Sequence, residues 1–244
     1  MDERFVRTSL LLGEEAVERL SRARVAVFGI GGVGGHVCEA LARSGVGKLD
    51  LFDGDVVAVS NINRQIVALG STVGRAKAEV MKERILDINP NAVVSANCFF
   101  LNEETAQSID FDSYDYIVDA IDDVKAKLIL AKTAFDKKIP MIAAMGAGNK
   151  LDPTRFEVSD IFKTSVCPLA RIMRQSLKKL GVTKLKVVYS TEKPKNPPYR
   201  IEGEKTVGSA AFVPSVMGLI MAGEVIKDFI KLTMDNFGRE DRIC

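Results

Sequence analysis

The chain has 244 residues, 47% of them hydrophobic and 27% charged, with a formal net charge of +2. A chain of that length and composition can bury a sizeable core and is globular rather than fibrous or disordered. Its most apolar stretch, 207–222, is interrupted by Gly208, Pro214 and Gly218; it is too short and too broken to span a bilayer, so no membrane insertion is expected.

The opening Met1-Asp2-Glu3-Arg4 lacks the basic flank and apolar run of a signal peptide, which points to a cytoplasmic protein. Residues 14–20 read as a helix, and the β-branched run 24–28 as a strand buried on both faces. A glycine loop follows, then a helical period over 36–44 and a second strand, 48–52, ending at Asp53. Residues 77–89 form an amphipathic helix stopped by Pro90. Strands are predicted at 92–97, 114–120 and 140–144, with a helix at 125–137. After about residue 150 come a helix at 169–180, a strand at 184–190, a lysine- and proline-rich stretch at 192–198, and a long apolar helix at 216–232. This alternation predicts an α/β fold, a Rossmann-like and mainly parallel sheet with helices on both faces. The expected organisation is a single domain over 1–244: a Rossmann-like part over 1–150, and an extension over 151–244 for substrate binding and dimerisation, with a mobile loop at about 191–206.

In such sheets ligands sit beyond the carboxyl ends of the strands. Those ends carry Gly29–Gly35, Asp53, Asp119, Asp122 and Gly146–Gly148. Gly29-Ile30-Gly31-Gly32-Val33-Gly34 is a G-x-G-x-x-G loop between strand and helix. Its glycines (Gly29, Gly31, Gly32 and Gly34) let the backbone approach a phosphate, and the helix start offers free N–H groups. Asp53 stands where an acid commonly binds ribose hydroxyls. On these residues alone the nucleotide is NAD or ATP. The next block separates the two: Asp53-Gly54-Asp55 leads into Ser60-Asn61-Ile62-Asn63-Arg64-Gln65, and Lys77 follows. Hydride transfer needs no cations there. A triphosphate attacked at its α-phosphorus does, because charge builds on its oxygens and on the leaving pyrophosphate. Arg64 forks onto phosphate oxygens, Lys77 acts as a point charge, and Asn61 and Gln65 supply amides. Asp122 is the candidate for Mg²⁺ bridged to phosphates, and Asp119 holds the loop; a helix N-cap is the competing role for either.

Cys38, Cys98, Cys167 and Cys244 form no C-x-x-C pair, which argues against disulfides and against zinc. His36 is the only histidine, which excludes a His-based triad. Cys167 is the one cysteine near a crossover loop over the pocket, either a reactive thiol or a small packed residue. From Arg171 to Lys205 there are ten Lys/Arg against three Glu, a local +7 that leaves about −5 for the remainder. Such an asymmetry marks contact with a polyanion, or else a solvated helix and loop.

Gly29–Gly34, Asp53-Gly54-Asp55-Val56, Ser60–Gln65, Gly74-Arg75-Ala76-Lys77 and Asp119–Asp122 together resemble the E1-like adenylating family, in order over residues 4–150. The resemblance implies ATP and Mg²⁺ at the positions named above, Asp55 included. It also implies a homodimer in which an arginine of the N-terminal helix reaches the partner's phosphates, and Arg7 matches that arginine. Sulfur-carrier activators of the family bear C-x-x-C zinc pairs, which this chain lacks. Asp152-Pro153-Thr154, Asp160-Ile161-Phe162-Lys163-Thr164 and Pro168-Leu169-Ala170 look instead like the tRNA threonylcarbamoyladenosine dehydratases. That branch implies adenylation of the free carboxylate on the modified adenosine of tRNA, then intramolecular attack that expels AMP and closes an oxazolone-type ring. Phosphates of the tRNA would then meet Lys178, Lys179, Lys184, Lys186, Lys193 and Lys195, and the loop at 191–206 would order on contact. Some relatives carry a cysteine just before the last apolar helix, where this chain reads Val207-Gly208-Ser209-Ala210-Ala211-Phe212. Cyclisation needs an activated carboxylate and good positioning rather than a thiol. The rival reading is an E1-like activator of a small protein with a Gly-Gly tail. A monovalent cation (Na⁺ or K⁺) near residues 150–170 and sulfur-transfer partners of the cysteine desulfurase kind complete the expectations.

Overall fold

The computed structural model describes residues 2–196 and 207–230. Strands β1 (Arg24–Phe28), β2 (Lys48–Phe52), β3 (Val93–Asn97), β4 (Tyr116–Asp119), β5 (Met141–Ala144), β6 (Phe156–Asp160) and β7 (Lys186–Ser190) form one sheet. Their order is β3-β2-β1-β4-β5-β7-β6. All neighbours run parallel except β6, which pairs antiparallel with β7. The helices are α1 (Val6–Leu12), α2 (Glu14–Arg22), α3 (Gly34–Arg43), α4 (Lys77–Ile88), α5 (Glu103–Ala106), α6 (Val124–Lys137), α7 (Pro168–Lys179) and α8 (Phe212–Ile230). The expected α/β architecture is the one that forms.

Successive side chains of a strand point to opposite faces, so a strand with apolar residues on both faces must be covered twice. In β1, Val25 and Val27 pack with α3, α4 and α8, through Val37, Leu41, Met81 and Met217. Ala26 and Phe28 pack with α6 and α7 on the other face, through Leu130, Ala170 and Met173. The β1–β2 register sets Phe28 against Phe52, whose rings stack with centroids 4.3 Å apart. The C-terminal part extends the same sheet through β7 and β6, and α8 packs on α3.

Three expectations shift. α8 starts at Phe212 and takes Pro214 into its first turn, where a missing N–H leaves no bond unmade; its expected end, 231–232, lies outside the described residues. β6 and α1 have no counterpart among the periodic segments read from the sequence. Of the expected mobile loop, 191–195 is tied down: the Glu192 carboxylate accepts from the N–H groups of Leu151 (3.1 Å) and Asp152 (2.9 Å). The Lys150 ammonium donates to the Glu192 carbonyl. Residues 197–206 of that loop lie outside the described residues. Among the described residues no helix is long and apolar enough to cross a membrane.

Candidate active site

A cavity of about 840 Å³ opens at the carboxyl ends of β1, β2, β4 and β5. It is lined by Gly29, Gly31, Gly32, Asp53, Asp55, Asn61, Arg64, Gln65, Lys77, Asp122 and Cys167. Gly34 does not line it. A Cβ there would lie 1.8 Å from the Gly29 carbonyl oxygen, so this glycine lets α3 start hard against the loop rather than approach a ligand. Gly29 itself turns with φ +87°, a conformation that only glycine adopts freely. His36 donates through Nδ1 to the Gly32 carbonyl (3.0 Å) and so braces the loop from α3.

Asp53 holds the loop in shape. One carboxylate oxygen accepts from Ile30 N–H (2.6 Å), the other from Asp55 N–H (2.8 Å). Burial pushes this carboxyl above its ordinary value, against the pull of those two N–H groups and of Lys77. Lys77, at the start of α4 and 5% exposed, pairs through Nζ with Asp55 Oδ2 at 2.7 Å. Arg64 donates to the Ser60 carbonyl and to Asn63 Oδ1, both at 2.9 Å, while Asn61 Oδ1 accepts from Ala58 N–H at 3.2 Å. The bonds made by Asn61 and Arg64 stiffen the 58–65 turn while leaving the guanidinium on the cavity wall.

Asp119 and Asp122 divide the work at the end of β4. Asp119 is fully buried and pairs with the equally buried Lys127 of α6 at 2.9 Å. Its Oδ1 accepts from Ile121 N–H at 3.1 Å. Asp123, not Asp122, caps α6, accepting from Ala126 N–H at 2.8 Å. Asp122 is therefore left exposed on the cavity wall.

Several wall residues were not singled out in the sequence. Phe99 and Phe100 follow β3 and line the cavity, with Phe100 63% exposed; an aromatic pair just past a strand end was the available signal. Asn149, with φ +56°, joins three segments. Its N–H donates to the Gly208 carbonyl (2.8 Å), its Oδ1 accepts from Gly208 N–H (2.8 Å), and its carbonyl accepts from Lys195 N–H (2.7 Å). Cys167, by contrast, was a candidate from the sequence, and it is 1% exposed in the wall, at the start of α7.

The lysines expected to meet tRNA do not form one surface. Lys193 and Lys195 flank Pro194, a cavity-lining residue, and stand exposed at the mouth. α7 begins at the cavity and runs away from it for 12 residues, a rise of roughly 18 Å, so Lys178 and Lys179 lie at its far end. Lys184 precedes β7, at the strand's opposite end from the cavity. Lys186, the remaining lysine of that set, pairs with Asp228 (2.6 Å) and Glu224 (3.4 Å) of α8. Arg7 is exposed on α1 and does not line the cavity of its own chain.

The residues present fit a nucleotide. At Gly31 a Cβ would have only Gln65 Nε2 within 4 Å, at 3.8 Å, so the loop backbone faces open space. Gln65 Oε1 is buried without a hydrogen-bond partner. Among the described residues no three His, Cys, Asp or Glu side chains are grouped to hold a metal.

Comparison with known proteins agrees over nearly the whole chain. The tRNA threonylcarbamoyladenosine dehydratase of Bacillus subtilis is 44% identical, over 95% of this chain and 96% of that protein. Crystal structures of the Escherichia coli tRNA N6-threonylcarbamoyladenosine dehydratase TcdA superpose with a TM-score of 0.87 in its AMP complex and 0.85 in its ATP complex. Both are 38% identical; the AMP complex covers 94% of each chain, the ATP complex 98% of this chain and 96% of that one. The family model described as ThiF family matches residues 4–240, and the chain belongs to the ThiF family.

Proposed function

We propose that this chain is an ATP-dependent tRNA threonylcarbamoyladenosine dehydratase. The observation that carries this reading is the 44% identity to the Bacillus subtilis dehydratase, which runs through the C-terminal part as well as the nucleotide half. ATP with Mg²⁺ supplies an electrophilic α-phosphorus. The Gly29–Gly34 loop presents backbone N–H groups to phosphate, Asp53 receives the ribose hydroxyls, and Phe100 offers a face for the base. Lys77 and Arg64 hold the phosphate oxygens on which charge accumulates, and Asp122 would hold a Mg²⁺ ion that offsets that charge. Lys77 meets the phosphates by exchanging its Asp55 partner for them.

The substrate carboxylate attacks the α-phosphorus and pyrophosphate leaves. An oxygen of the same threonylcarbamoyl group then attacks the activated carbonyl carbon, closing the ring and expelling AMP; the net change is loss of one water. The walls formed by Met145–Asn149 and Cys167–Leu169 hold the nucleoside so that the two reacting ends meet, which is the main demand of an intramolecular step. Arg7 acts across a homodimer. It shares α1 with Leu10 and Leu11, 82% and 74% exposed, and two such apolar residues on one short helix suit burial against a second copy. Since tRNA is a cytoplasmic substrate, we place the enzyme there.

The test is to incubate the protein with ATP, Mg²⁺ and tRNA bearing the threonylcarbamoyl group, and to follow that nucleoside by mass spectrometry. Loss of one water, with AMP and pyrophosphate released, is expected. Unchanged nucleoside while ATP is consumed would refute the reading; pyrophosphate exchange stimulated by a Gly-Gly-tailed carrier instead would point to a protein substrate.

A further inference from the structure

A second cavity, of about 590 Å³, opens beside the first, and Cys167 and Pro168 line both. Its remaining walls come from Val166 and from the first turns of α7, where Arg171 and Arg174 stand one turn apart on one face. None of the residues lining it is acidic. Arg174 is preorganised: its Nη1 donates to the Thr164 carbonyl at 2.9 Å and also to the Thr164 hydroxyl. That occupies one nitrogen of a guanidinium with five N–H donors. Arg171 is exposed, and its side chain has no hydrogen-bond or ion-pair partner among the described residues.

The junction between the two cavities is held in a strained conformation. Val166, a β-branched residue, sits at φ +58°, and the Cys167 N–H folds back to the Ser165 carbonyl at 2.5 Å. Such residues persist only where their surroundings over-determine them, and they cluster at ligand sites. Here the turn brings the start of α7, and with it both arginines, up to the wall of the main cavity.

We infer that this groove is a phosphodiester subsite of the same active site. With the modified base in the main cavity, the backbone phosphate of an adjoining nucleotide lies over Pro168, between Arg171 and Arg174. The inference rests on the tRNA reading above and goes beyond it by naming where the anticodon-loop backbone is gripped. Two planar cations without a neighbouring acid, next to a nucleotide pocket, match a phosphate fork better than a peptide, which would need an extended apolar track. It also replaces the lysines at the far end of α7 as the contact close to the chemistry.

The experiment measures steady-state dehydration of threonylcarbamoyl-tRNA by the full chain over a range of salt, for wild type, Arg171→Ala and Arg171→Glu. Arg171 is exposed, so the fold should survive either change. Losing one charged phosphate contact should raise the KM for tRNA about tenfold in Arg171→Ala, and further in Arg171→Glu. The slope of log affinity against log salt should fall by about 0.7, the value for one single-stranded phosphate. The Kd for ATP should hold. An Arg171→Glu enzyme that dehydrates tRNA with wild-type KM and salt slope overturns the subsite and leaves the proposed function standing. Unmodified tRNA with wild-type enzyme overturns both. Lost binding of a carrier protein with an unaltered KM for tRNA would give the groove to a protein instead, and also overturns it.

Discussion

The Asp119–Lys127 pair allows a sharp test of what holds the cavity floor. Both side chains have zero exposure, and Lys127 Nζ reaches Asp119 Oδ2 at 2.9 Å and the Ile121 carbonyl at 3.1 Å. In Lys127→Met the Asp119 carboxylate would keep only the Ile121 N–H, and the Ile121 carbonyl would lose its donor. Leaving one buried charge uncompensated costs about 3–5 kcal/mol. For a chain of this size each kcal/mol lowers Tm by about 2–4 °C, so a drop of roughly 6–20 °C is expected. In the double variant Asp119→Asn, Lys127→Met both charges are gone, and the Asn oxygen still accepts from Ile121 N–H. What remains is the orphaned Ile121 carbonyl, about 1–3 kcal/mol. Both variants share that orphan, so the double variant should be more stable than Lys127→Met alone by the charge penalty itself, about 3–5 kcal/mol. Urea unfolding of wild type, both single variants and the double variant at neutral pH reads the comparison. A double variant as unstable as Lys127→Met, or less stable, would refute the argument from uncompensated charge.

Three further outcomes follow from the site. Lys77→Ala should lower kcat for dehydration by about 10²–10³, the loss usual when one charge-stabilising donor is removed. Its fold should hold, because Asp55, with its side chain 52% exposed, can be hydrated; single-turnover kinetics with circular dichroism check both. Cys167→Ala should keep its turnover in the same assay, and a loss as large as that of Lys77→Ala would give the thiol a covalent role. At Glu192 burial pushes the carboxyl up, but the Asp152 and Leu151 N–H groups and Lys150 outweigh it and hold it below its usual range. A depressed folded pKa stabilises fully above the unfolded value, about 4.3, and the contribution disappears as pH falls through the folded pKa. Thermal melts should show wild type more stable than Glu192→Gln near neutral pH, with the gap closing only in acid; a gap that widened on acidification would contradict this assignment.

Much of the fold was legible because β1 and β2 state their role without ambiguity. An unbroken apolar run such as Val25–Phe28 has to be covered on both faces, and the glycine loop and Asp53 mark its carboxyl end. β6 was not legible: its five residues alternate only weakly between half-buried and exposed, as befits an edge strand packed on one side. Gly34 was legible as part of a motif but not in its role, since only the three-dimensional approach of Gly29 shows that it serves packing. How the basic segment is spread over the surface was not legible either. Charge counted along the chain is blind to reversal, and the turn at 180–185 sends the backbone back across the sheet. Lys178, Lys179 and Lys184 thus share one edge while Lys193 and Lys195 reach the other, and of the basic residues of α7 only Arg171 and Arg174 line the smaller cavity beside the active site.

Asn149 has a bearing on how such an enzyme can diversify. Because Lys195 and Gly208 both hydrogen-bond to this one residue, those two positions are pinned side by side. The entropy of closing a loop between fixed ends grows only logarithmically with its length, about 0.6 kcal/mol for each doubling. The chain length between these two anchors can thus change at little expense to the fold, while Gly146–Gly148, on the inner side of Asn149, keep their place in the cavity wall. The rim of the cavity beside Asn149 thereby becomes a variable that selection, or an engineer, can turn without touching the glycine loop.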